Sequence, residues 1–87
     1  MIDHKLSVAV YTRDNWKCRH CNSRAGLHPH HLVYKSKGGE DVINNLITLC
    51  FVCHEAVHNR KLLIILLDKV GSEGVVSFKR QGNWKPR

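Results

Sequence analysis

Apolar residues recur at roughly helical intervals near the N-terminus. Leu6, Val10 and Arg13, with Val8 and Tyr11 beside them, mark a stripe that predicts a short helix over residues 4–14. Asp14-Asn15 then turns the chain into Trp16. From Leu27 to Tyr34 the pattern alternates loosely and predicts a strand, although it carries Pro29. Ser36-Lys37-Gly38-Gly39 breaks that strand, and a loop runs on to about residue 44. Leu46-Ile47-Thr48-Leu49 reads as a second short strand, and residues 51–61 as a helix. The run Leu62 to Leu67 fits helix or strand by periodicity alone. The turn-forming Gly71-Ser72-Glu73-Gly74 and the following Val75-Val76-Ser77-Phe78 favour a β-hairpin. The expected class is α+β. No linker or repeat interrupts the pattern, so residues 1–87 are expected to form one domain.

Length changes this picture. A chain of 87 residues buries too little apolar surface to be stable with ease, and such domains often rely on disulfides or a bound metal. The four cysteines fall in two pairs, Cys18-Arg19-His20-Cys21 and Cys50-Phe51-Val52-Cys53. No apolar signal segment follows Met1, so the expected compartment is the cytoplasm and the expected use of the cysteines is metal binding. The Leu62–Leu67 run is far shorter than a membrane span, and no membrane partner is expected. Lys and Arg total 14 against 7 acidic residues, a net charge of +7. A basic surface on so small a protein suits a polyanion, because neutralised phosphates release counterions.

The two CxxC units are separated by 28 residues. One tight CxxC turn offers two sulfurs to one ion, and two such turns complete a tetrahedral four-thiolate zinc site. Cys18, Cys21, Cys50 and Cys53 are therefore the expected ligands of a structural zinc, with no position left open for substrate. The gap exceeds that of common zinc ribbons, which suggests a functional segment between the knuckles. Unrelated buried cysteines or a redox pair explain the pattern less well.

Seven histidines are present. His54 and His58, at i and i+4, share a helix face and suit one metal ion, although such pairs also occur on plain solvated faces. His30 and His31 are adjacent on the predicted strand. Neighbouring strand residues point to opposite faces, so one ring can bind metal while the other acts elsewhere. His4, His20 and His28 have no place in this group and are expected in solvent or behind the ligands.

The run His30-His31-Leu32-Val33, Ser36-Lys37-Gly38-Gly39, Asn45-Leu46-Ile47-Thr48-Leu49-Cys50, Cys53-His54 and His58 resembles the HNH endonuclease signature. Tyr11-Thr12-Arg13-Asp14 leading into Cys18 is similar to the stretch that precedes it in zinc-containing members. The resemblance covers residues 11–58 and implies a zinc-stapled ββα-metal (His-Me finger) fold with its core motif at 28–58, to which the residue pattern adds an N-terminal helix and a C-terminal β-hairpin. It implies His31 as the general base, His30, His54 and His58 as ligands of a catalytic divalent cation, and Asn45 as the residue that fixes the loop and orients His31 by a hydrogen bond. It also implies DNA as substrate and products with 5′-phosphate and 3′-hydroxyl ends.

The residue types suit that chemistry independently. Neutral imidazole is available as a base near neutral pH, and a divalent ion stabilises charge on the phosphoryl and leaving oxygens. Many relatives carry an aspartate where His30 stands. Three imidazoles without a carboxylate favour nickel, manganese, cobalt or zinc over magnesium. Lys35, Lys37, Arg60 and Lys61 flank the proposed site and are candidate phosphate contacts, or equally solvated charges. Arg13 is expected to pair with a carboxylate or backbone carbonyl near the first knuckle. The basic tail 79–87, around Trp84, reads as a DNA arm or a frayed terminus. A non-catalytic zinc module that binds nucleic acid or protein is the alternative. Small proteins of this resemblance also occur in phages, which makes a packaging or restriction complex a candidate partner; the sequence leaves oligomeric state open.

Overall fold

A computed structural model of the chain describes residues 2–66 and 76–86. Helix α1 spans His4–Arg13, strand β1 His28–His31, strand β2 Leu46–Leu49, helix α2 Phe51–His58, and strands β3 and β4 Leu62–Leu66 and Val76–Arg80. Short 3-10 turns occupy Lys35–Lys37 and Ile43–Asn45. The fold is α+β, as expected. β1 and β2 pair antiparallel with His30 opposite Ile47 and His31 opposite Leu46. β3 and β4 form a second antiparallel pair. Its expected turn at 71–74, with Leu67 and Val75, lies outside the described residues.

β2 is the centre of the domain. All four of its residues are fully buried, which an antiparallel strand achieves only when both faces are covered. Ile47 and Leu49 pack with Ala56 of α2, Leu62 of β3 and three of the cysteines. Thr48 lies on the other face, where its Oγ1 donates to Val10 O of α1 at 3.5 Å. The apolar run of β2 is thus the sequence mark of a two-sided contact.

α1 starts at Asp3, whose carboxylate accepts from Lys5 N at 3.1 Å. It ends in a polar clamp. Asp14 accepts from Arg13 at 2.8 Å on each oxygen, from Arg19 Nη1 at 2.9 Å and from the Thr48 N–H at 2.9 Å. Arg13 also donates to Ile43 O at 2.8 Å and Leu46 O at 2.6 Å. Arg13 therefore pairs with both a carboxylate and backbone carbonyls, and the clamp joins α1 to β2 and the turn before it. Burial alone would raise the Asp14 pKa, but the hydrogen bonds from Arg13 and Thr48 and the two guanidinium charges hold it below the usual carboxylate value.

Two elements are shorter than the pattern predicts. The strand expected over Leu27–Tyr34 ends at His31, because the N–H and carbonyl of Val33 are bonded to the Asn45 side chain instead of to a partner strand. The helix expected over 51–61 ends at His58. Arg60 takes a left-handed conformation (φ 60°), with Arg60 N bonded to Val57 O at 3.1 Å and Lys61 N to Ala56 O at 2.8 Å. That bond pair is a Schellman stop, a position where glycine is usual.

The C-terminal segment is not a frayed tail over its described length. Lys79 and Arg80 lie in β4, and Trp84 packs against the core. Arg87 lies outside the described residues. No helix among the described residues is long and apolar enough to cross a membrane.

Replacing Asp14 removes one shared acceptor from two guanidinium groups and from a buried backbone N–H. Asp14→Ala is expected to cost about 3 kcal/mol, as for other broken buried ion pairs. Urea unfolding of the zinc-loaded protein measures it, and a loss below about 0.5 kcal/mol would show that the clamp does not join α1 to the sheet.

Candidate metal centres and the histidine face

α2 carries ligands for two clusters. Cys50 caps the helix, its Sγ accepting from Cys53 N at 3.4 Å, so both cysteines lie at the N-terminal end of α2. Cys18 and Cys21 approach from the loop after α1. The four sulfurs lie within 4.8 Å of one another, with Cys21 and Cys50 at 3.5 Å. A tetrahedral ion with bonds of about 2.3 Å needs sulfurs about 3.8 Å apart, so the quartet fits one ion. Hydrogen bonding from Cys53, outweighing burial, holds the Cys18 thiol down at about 4, and the same contact pushes Cys53 up. A cation bound among the sulfurs would favour their thiolate forms.

His20 stands behind this quartet. Arg80 Nε donates to His20 Nε2 at 3.3 Å, so Nε2 must accept and Nδ1 carries the proton. Nδ1 then donates to Cys53 Sγ at 3.3 Å. The ring also meets Phe78 edge-on at 5.1 Å and lies 5.8 Å from Trp84. His20 thereby ties the sulfurs to the β3–β4 pair. Sequence reasoning set His20 among solvent or second-layer residues, and it is in the second layer.

The second cluster lies one turn further along α2. His54 and His58 meet Nε2 to Nε2 at 3.3 Å, and His30 faces them from β1, with ring centroids 5.3 and 6.0 Å away. One ring nitrogen from each lies within 4.8 Å of the others, a spacing that fits three ligands of a divalent ion at bonds of about 2.1 Å. His28 stacks on His54 at 5.3 Å, outside the three. His30 is only 4% exposed. Burial, then the charges of His54, His58 and His31, push its pKa down to about 4, and His54 is lowered by burial and by His58 and His28. Two of the three imidazoles are therefore ready as neutral donors at neutral pH.

His31 is on the opposite side of β1, as strand geometry requires. Its Nε2 bonds Asp41 Oδ1 at 2.6 Å, and Asp41 Oδ2 accepts from Lys35 Nζ at 3.2 Å. The His31 hydrogen bond, then that of Lys35, keeps the Asp41 carboxyl below the usual carboxylate value. No spacing rule pointed to Asp41. Asn45 is buried and fully bonded. Its Oδ1 accepts from Val33 N at 2.8 Å, and its Nδ2 donates to Val33 O at 3.0 Å and Glu40 O at 2.9 Å. The expected hydrogen bond from Asn45 to His31 is replaced by these. The Asn45 side chain acts on His31 through the loop, bringing together Val33 and Glu40, which lie close in the chain to His31 and Asp41.

That loop admits only glycine at residue 39. A Cβ there would collide with the Val33 carbonyl, which Asn45 holds in place.

The cations sit variously. Lys35 is engaged with Asp41. Lys37, Arg60 and Lys61 are exposed, and Arg60 lines a groove of about 510 Å³ with His30, His58, Tyr34 and Leu63.

A family model described as HNH endonuclease matches residues 18–60. A protein named Anaredoxin, from Nostoc sp., is 36% identical over 63 residues, covering 69% of this chain and 80% of its own length. No solved structure matches the chain.

A depressed histidine pKa favours the neutral ring. Its contribution to stability is present above the ordinary value of about 6.5 and is lost as pH falls toward 4. With the three-histidine site free of ions, His30 is expected to stay neutral far below pH 6.5 and to protonate near 4. Ring carbon and nitrogen shifts followed through a pH titration measure it. A midpoint at or above 6.5 would mean that this ring is not buried among the other imidazoles.

Proposed function

The chain belongs to the HNH endonuclease family, and from that premise we propose that it is a metal-dependent DNA endonuclease with His31 as its general base. The observation that carries the reading is the convergence of His30, His54 and His58 from a strand and a helix, with His31 next in the chain. The name of the Nostoc relative does not speak of DNA cleavage and adds nothing to this reading. We take residues 1–87 as one nuclease domain, with the four cysteines as a structural zinc site.

His31 takes a proton from water, whose oxygen forms a bond to phosphorus while the bond to the 3′-oxygen breaks. The departing oxygen is protonated from solvent, giving 5′-phosphate and 3′-hydroxyl ends. His30, His54 and His58 would hold a divalent ion, which would supply charge stabilisation for the phosphoryl and leaving oxygens. Asn45 keeps the loop beside the base closed. Arg60, which lines the groove beside His30 and His58, is the first candidate contact to the DNA phosphate backbone, with Lys37 and Lys61 as further candidates, and Lys35 shares its charge with Asp41. No recognition helix for base edges stands out among the described residues, so sequence preference is expected to be weak.

Supercoiled plasmid, a panel of divalent ions, and the His31→Ala variant test the reaction. Nicking is expected with nickel, manganese or cobalt ahead of magnesium, and a loss of about 100-fold or more in the variant. Magnesium as the best activator would overturn the ion preference. Equal activity of the variant would exclude His31 as base, and no nicking with any ion would leave a nucleic-acid or protein-binding zinc module.

Arg60 offers a separate test. A non-glycine residue in the left-handed region costs about 1 kcal/mol, a strain that tends to persist where function requires the side chain. Arg60→Gly is expected to raise stability by about that amount and to weaken DNA binding, with a shallower dependence of affinity on salt. Thermal unfolding and salt-dependent binding measure the pair. Unchanged binding would return Arg60 to the solvated surface.

A further inference from the structure

We propose that Asp41 is the positioning residue for His31, fixing which ring nitrogen carries the proton and which is free to take one. The inference rests on the reading of His31 as base, and it deepens that reading by assigning a partner that the chemistry needs.

The contact is a product of how the loop closes. After β1 the chain turns through Lys35–Lys37, passes Gly38 at φ 87° and folds back at Gly39 against the Val33 carbonyl. Asn45 then bonds Glu40 O, and the next side chain is Asp41. Its carboxylate arrives at His31 Nε2 at 2.6 Å. Both groups are half-buried, with 19% and 29% of their side-chain surfaces exposed, so water competes only in part for the bond.

A carboxylate can only accept. His31 Nε2 therefore carries the proton, because the other tautomer would set two lone pairs against each other. Nδ1 is left with its lone pair, and the ring is held against rotation. When Nδ1 takes a proton from water, the ring becomes positive and the carboxylate across Nε2–H balances that charge without itself being protonated. Lys35, on the second oxygen, holds the carboxylate in its orientation. The buried Asn45, Gly39 and the 3-10 turn thereby acquire a common purpose: each places Asp41 rather than touching His31.

The test uses the full zinc-loaded chain with 15N-labelled histidine, as wild type, Asp41→Ala, Asp41→Asn, Asp41→Glu and Lys35→Ala. At a single pH above the histidine range, the wild type is expected to show a downfield His31 Nε2–H proton protected from solvent exchange. That signal should vanish in Asp41→Ala, return in Asp41→Glu and survive in Lys35→Ala. Asp41→Asn keeps the size of the side chain, so its loss of the signal with zinc retained excludes simple unfolding. On plasmid, Asp41→Ala should lower kcat about 10- to 100-fold with KM for DNA and affinity for the divalent ion unchanged, and Asp41→Glu should recover most of the rate. An Nε2–H signal identical in wild type and Asp41→Ala overturns the proposal, as does an Asp41→Ala variant that cleaves at the wild-type rate. A wild type that cleaves no DNA would remove the nuclease reading alone, because the ring-proton measurement still decides whether Asp41 fixes His31.

Discussion

The buried side-chain amide of Asn45 closes the loop on which the histidine face is built. At 1% exposure it has no access to water, and each unmet bond would cost on the order of 1–3 kcal/mol. Asn45 meets this demand by bonding both backbone groups of Val33 and the carbonyl of Glu40. Those bonds end β1 at His31 and draw the two ends of the loop together. Gly39 is then pressed against a carbonyl that cannot move. The constraint runs outward from there, because β2 begins at the next residue and its register sets His30 opposite Ile47. An aspartate would keep the acceptor and lose two donors; a leucine would lose all three bonds. The residue is therefore chosen by the loop as much as by any reaction.

A second economy lies in α2, whose eight residues hold parts of both clusters. Cys53 and His54 are adjacent in sequence, yet one faces the sulfur quartet and the other the imidazoles. The 3.6-residue period of the helix separates their directions by about 100°, so two centres can share one element without sharing ligands. The sulfur quartet also draws the loop after α1 onto the helix, and through His20 and Arg80 it draws in β4. A zinc ion there would act on all three, which suits a chain whose apolar core is small.

How much of this was legible follows from the range of each interaction. β2, the start of α2 and the pairing of His54 with His58 depend on residues close in sequence, and spacing alone placed them. The cysteine quartet joins distant segments, but the chemistry of one ion restricts which residue types can meet. Asp41 had no such mark, because an acidic residue ten positions from a histidine has no characteristic spacing, and the contact exists only after Asn45 closes the loop. The early end of β1 was hidden for the same reason, since nothing in Val33 announces that a side chain would take its backbone bonds. Arg60 misled in another way. The helical pattern continues past it, and the usual signal for a Schellman stop is a glycine that this chain lacks.

His30 and His31 show how far environment can divide identical side chains. They are adjacent in sequence, yet the pleat sends one ring toward α2 and the other toward the loop. His30 is buried among positive or potentially positive rings, so it resists protonation and suits a cation with lone pairs to accept. His31 meets a carboxylate, which takes up its Nε2 and leaves Nδ1 free, the arrangement wanted of the proposed base. Replacing the first by an aspartate would change the charge and softness of a ligand set, whereas replacing the second would remove the group proposed to take the proton. The two positions are thus separated less by residue type than by what the opposite faces of one short strand present to them.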